Sequence, residues 1–175
     1  MGEVFIGLGL FAALVVVCMI YGHFKQKAKR KIFKGKYEEQ KSLTHNATIV
    51  QTASTIAQVK QSLKETIPTD DSAKAAFLGG RLKIQSETDN YIEYYHTSHF
   101  KVSGEGDEFT GSVAFEPTET GLTVTIRIEK WREKDGITQK AGIEAMRKFV
   151  ELAKTAVLNT DPNAKVSQQA QQAIY

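Results

Sequence analysis

Val4 to Tyr21 is an unbroken run of eighteen uncharged residues, VFIGLGLFAALVVVCMIY, and the basic stretch KQKAKRKIFKGK begins three residues after it. As a helix, at about 1.5 Å per residue, the run reaches roughly 27 Å, close to the roughly 30 Å hydrocarbon thickness of a bilayer. The sequence therefore predicts a single transmembrane helix over residues 4–21, with residues 1–3 as a short extracytoplasmic end.

Charge sets the expected direction. Glu3 is the only charged side chain before the run, whereas Lys25, Lys27, Lys29, Arg30, Lys31, Lys34 and Lys36 follow it. Short flanks rich in Lys and Arg stay on the cytoplasmic side. The expectation is a plasma-membrane protein, single-pass, with its amino terminus outside and residues 22–175 in the cytoplasm. Residues 22–42 read as a basic juxtamembrane linker, whose cations meet anionic headgroups at about 1 kcal/mol each, and Lys34 to Leu43 reads as a linker or as a helical extension of the anchor. A cleaved signal peptide fits less well, because the basic cluster lies on the wrong side of the run and no small-residue cleavage pattern closes it. Cys18 is the single cysteine, so no intramolecular disulfide can form; it reads as a small apolar residue facing lipid.

The net charge of +3 belongs to this amino-terminal stretch. From residue 42 onward there are fifteen Lys and Arg against seventeen Asp and Glu, a net −2. A near-neutral folded region argues against a nucleic-acid partner, which calls for a basic face. Residues 43–161 have the length of one domain, and the polar, glutamine-rich residues 162–175 read as a disordered tail.

Within the domain, ATIVQTAS reads as a strand. Ile56, Val59, Leu63 and Ile67 recur at three or four residues and predict an amphipathic helix over 54–66, capped by Ser54 or Thr52 and ended by Pro68. Thr69 to Gly80, with Asp70, Asp71 and Ser72 as the cap signal, gives a short helical turn closed by glycine. Alternation marks strands at 81–87, 91–102 and 109–116, and most clearly in GLTVTIRIEKW, where Leu122, Val124, Ile126 and Ile128 share one face and Trp131 falls with the polar residues opposite. After the Asp135-Gly136 turn, a long helix carries the apolar stripe Ala141, Ala145, Phe149, Leu152, Ala153, Ala156 and Val157.

The expected class is thus α+β: a transmembrane helix, then a β-α-(short α)-β4-α domain whose antiparallel sheet is covered by the long carboxyl-terminal helix. That element order, over residues 44–158, resembles a reduced form of the helix-grip arrangement of START and Bet v 1 type lipid-binding domains, and the related TBP-type half-domain. The resemblance implies an apolar ligand held between the long helix and the sheet.

Catalytic and cofactor signatures are absent from the sequence, so the expectation is a non-enzyme with no cofactor and no bound metal. His96 and His99, three apart on a strand, point to opposite faces and cannot share an ion, and His45 adds little without a fixed carboxylate or thiolate. Glu105, Asp107 and Glu108 lack EF-hand spacing, and Gly79-Gly80 lacks a phosphate-loop context. The candidate recognition surface is aromatic: Tyr91, Tyr94, Tyr95 and Trp131 bury large area while keeping a polar handle. Two functions follow as expectations. The first is a membrane-anchored module binding a small apolar ligand or lipid; the alternative is a scaffold recruiting a protein partner.

Overall fold

The alternation in GLTVTIRIEKW is realised as strand β5 (Gly121–Trp131), whose Leu122, Val124, Ile126 and Ile128 are buried while the residues between them are half-buried. The computed structural model describes residues 2–32, 34–77, 80–97, 107–133, 136 and 138–170; the side chains of residues 2–13, 26, 29, 30, 73 and 75 fall outside that description. Six antiparallel strands form one sheet. In chain order these are β1 (Asn46–Thr52), β2 (Arg81–Thr88), β3 (Tyr91–Thr97), β4 (Phe109–Thr118), β5 and β6 (Lys165–Ala170), and their spatial order is β2-β3-β4-β5-β1-β6.

The helices are α1 (Gly2–Ile32), α2 (Lys34–His45), α3 (Ile56–Thr66), α4 (Ala73–Ala76) and α5 (Lys140–Thr160). Helix α3 starts at Thr55, whose hydroxyl accepts from Gln58 N while the Gln58 side chain accepts from Thr55 N. This reciprocal pair satisfies two amide donors that the first turn leaves open. The cap is therefore Thr55, and Thr52, one of the two residues expected there, serves the end of α5 instead.

Helices α3 and α5 lie against each other and cover one face of the sheet. Val59 and Leu63 from α3, Ile67 just after it, and Ile143, Met146, Phe149, Ala153 and Val157 from α5 meet Leu82, Ile92, Tyr94, Val113, Val124 and Ile126 from the strands in one buried cluster. Each large side chain so buried contributes about 1.5–3 kcal/mol relative to exposure. The packing is close enough that a Cβ on Gly111 would stand 2.4 Å from the Phe149 ring.

The amino-terminal run requires a correction. Among the described residues, no helix is long and apolar enough to cross a membrane. The transmembrane span over 4–21, the single-pass topology and the plasma-membrane location are corrected accordingly; residues 4–13 of that span have side chains outside the described set. Seven cations follow the run, Lys25, Lys27, Lys29, Arg30, Lys31, Lys34 and Lys36. Those cations lie along α1 and the start of α2, with Lys27, Lys31 and Lys34 exposed.

Two further boundaries move. Lys34 to Leu43, for which the sequence leaves open a linker or a helical extension of the run before it, lies in helix α2, which is docked onto the domain: Gln40 is buried, and Glu39 pairs with Arg147 at 3.5 Å. The tail expected to be disordered contributes β6, which pairs with β1 from Asn46↔Ala170 to Gln51↔Lys165. The sheet consequently has six strands where five were expected.

Candidate functional site

Strand β3 decides where the candidate aromatics point. Ile92, Tyr94 and His96 are buried, whereas Tyr91, Glu93, Tyr95 and Thr97 are half-buried on the face opposite the helices. Tyr94 is therefore a core residue, not a surface one. Its ring packs against Phe149 at 5.3 Å, its hydroxyl has no hydrogen-bond partner among the described residues, and burial pushes its pKa far up. The sequence could not choose which face of β3 met the core, since both carried aromatics.

Tyr91 and Tyr95 keep the candidate role. Their register neighbours on β4 are Ala114 and Thr110, and Glu93 stands opposite Ser112. A polar ladder crosses this face: Tyr91 Oη donates to Glu93 Oε2 at 3.2 Å, Ser112 Oγ donates to Glu129 Oε1 at 2.7 Å, and Arg127 Nε contacts the same Glu129 oxygen at 2.7 Å. Partial burial, and then the neighbouring Glu93 carboxylate, raise the Tyr91 pKa, so the phenol stays protonated at neutral pH.

Trp131 does not follow the simple alternation. The pairing of β4 with β5 shifts between Thr110 and Gly111, which face Lys130 and Ile128, so Glu129 is an extra residue. Such a bulge resets the face of everything beyond it. Trp131 is brought opposite the core residue Phe109, half-buried, with its indole tilted against His45 at 6.3 Å and its Nε1 donating to Glu133 Oε1 at 2.8 Å. The expectation that Trp131 sits with the polar residues of β5 is corrected by this one inserted residue. At the same strand ends, Tyr95 and Trp131 both line a shallow recess of about 250 Å3, together with Glu108, Thr110, Lys130 and Arg132. Arg132 is held by Glu108 at 3.0 Å.

Of the histidines and acids weighed in the sequence, His96 is fully buried, with Nδ1 donating to the Asp107 carbonyl at 3.0 Å. His99 and Glu105 lie outside the described residues. No group of three or more His, Cys, Asp or Glu able to hold a metal ion occurs among the described residues.

No known family matches this chain, and no curated protein does. Among solved structures it is similar to the protein MLL2253 from Mesorhizobium loti, at 13% identity over 65% of this chain and 98% of that one, with a TM-score of 0.41.

Two further concavities lie elsewhere among the described residues. A groove of about 410 Å3 runs between Phe77, at the end of α4, and α5, walled by Glu144, Arg147, Lys148 and Glu151. A polar recess of about 520 Å3 lies where the β4–β5 turn meets the ends of β1 and α5, lined by Thr52, Thr118, Thr120, Thr123, Asp161 and Lys165 among others. The Asp161 carboxylate in it is fully engaged: Oδ2 accepts from Thr52 Oγ1 and Ala53 N, and Oδ1 accepts from Asn163 N. Those bonds hold its pKa below the usual carboxylate value, the Ala53 amide first and the Thr52 hydroxyl next.

Proposed function

We propose that this domain is a non-catalytic protein-interaction module, and that its partner seats one side chain in the recess between Tyr95 and Trp131. The observation that supports this reading is a contrast in filling. The space between α5 and the sheet, where an apolar ligand belongs in the helix-grip arrangement, is occupied by Tyr94, Phe109, Met146 and Phe149, each 2% exposed or less. The recess beside Tyr95 is open.

Its volume of about 250 Å3 falls short of the roughly 300–1,000 Å3 typical of small-molecule sites. It is of the size that takes one large side chain. Aromatic walls with a polar rim are what protein-interface pockets present, and Lys130 on the rim favours an acidic neighbour beside the inserted group.

The test compares capture by the full chain with capture by Tyr95→Ala and by Lys130→Glu, quantified by mass spectrometry, with Lys154→Ala on α5 as the control. The reading expects one set of proteins retained by the parent and the control and lost with both recess variants. Retention indifferent to the recess variants overturns it. An apolar compound found by native mass spectrometry on the purified chain returns the ligand reading.

A further inference from the structure

The two edges of the sheet are built differently. Strand β2, at one edge, has its register broken between Ile84 and Ser86 and carries Arg81, Lys83 and Glu87. Bulges and charges are the devices by which proteins keep an edge strand from pairing with another chain. Strand β6, at the other edge, has none of them after its first residue. Its pairing with β1 is unbroken across six registered pairs, its sequence KVSQQA has no proline and only Lys165 charged, and all six side chains are exposed.

We infer that the free edge of β6 is a self-association surface, and that its occupant is β6 of a second copy, paired antiparallel about a two-fold axis. Full overlap sets Lys165 opposite Ala170 of the second copy, Val166 opposite Gln169, and Ser167 opposite Gln168. The charge pattern favours this direction over the parallel one. Antiparallel pairing holds the two Lys165 ammonium groups about 17 Å apart at about 3.4 Å per residue, beyond the Debye length of about 8 Å at physiological salt. Parallel pairing in register would set them side by side. A two-fold contact of this kind is closed, so it yields a dimer and not a fibre. The contact lies on a different surface from the Tyr95 recess and stands or falls separately from it. A pairing of six residues is short, so the dimer is expected to be weak and concentration-dependent.

The register supplies its own test. On β1 the neighbours of Ser167 and Gln168 are Ile49 and Thr48, both uncharged, so new charges at 167 and 168 create no ion pair within the chain. Sedimentation velocity on the full chain over a concentration series is expected to move from 19.4 kDa toward twice that mass. The double variant Ser167→Lys with Gln168→Lys, which sets Lys against Lys twice across the two-fold, is expected to shift the association midpoint at least tenfold higher in concentration. Ser167→Lys with Gln168→Glu, which sets Lys against Glu, is expected to restore it. Association that is absent, or equal in all three chains, overturns the inference; the second outcome assigns the contact elsewhere on the molecule. Circular dichroism of each variant confirms that the sheet is retained.

Discussion

The imidazole of His96 lies nearly parallel to the ring of Phe109, with centroids 5.0 Å apart and 16° between the planes. Phe77 closes the other side at 5.8 Å, and Nε2 has no hydrogen-bond partner among the described residues. Charging this ring means placing a cation between two phenyl groups. Burial lowers the His96 pKa below 6.5, outweighing the opposing pull of the Asp107 and Glu108 carboxylates and of the Asp107 and Phe77 carbonyls. The sign follows. Below the unfolded value the unfolded chain takes up a proton that the folded chain refuses, so stability is full above about pH 6.5 and falls as the solution is acidified, until the folded ring itself protonates. Urea midpoints measured from pH 7.5 to pH 5 should decline, with a His96 contribution of at most about 1.4 kcal/mol per pH unit. His96→Leu should flatten that part of the slope; an unchanged slope would remove His96 as its source.

Gly111 and Phe149 form a matched pair. Gly111→Ala brings a methyl group within 2.4 Å of a ring already fixed against Tyr94 and Phe109, and overpacking of this kind costs about 1–3 kcal/mol. In a double-mutant cycle, Phe149→Leu should recover part of the cost of Gly111→Ala, because the two changes share one space. Additive losses in chemical denaturation would show that the ring is free to move aside.

Gln40 is the residue that seats α2. Its side-chain carbonyl accepts from Thr138 N at 2.7 Å, and its amide donates to the Glu133 carboxylate oxygen that also accepts from Trp131 Nε1. Gln40→Ala leaves the buried Thr138 N–H without that acceptor, a loss of about 1–3 kcal/mol. Trp131 is the only tryptophan, so its fluorescence reports the same event: a red-shifted emission maximum is expected in the variant, and an unchanged spectrum would mean that α2 docks by other contacts.

What the sequence disclosed follows from which residues carry their own periodicity. The stripe of Val59, Leu63 and Ile67 and the alternation from Leu122 to Ile128 are local patterns with one apolar face, and both are realised in the structure. Strand β6 has no such pattern. Its six side chains are all exposed, and it is a strand because Asp161 and Asn163 turn the chain back onto β1. Helix α2 docks through a buried glutamine, which hydropathy counts against burial. At Trp131 the alternation was read correctly up to Glu129, and one inserted residue, without a sequence mark of its own, reversed it. The amino-terminal run predicts a span on length and apolarity alone, and among the described residues no helix is long and apolar enough to cross a membrane.

Strand β1 sits between β5 and β6, its two partners in the sheet, and both follow it in the chain by some seventy residues or more. On a ribosome, therefore, the first strand to emerge waits unpaired until the last two have been made. Pairings of such long sequence separation carry a large loop-closure cost before any contact repays it, which places the domain among slow folders. Until synthesis reaches residue 170, Val50 and its neighbours are an open edge of the sheet.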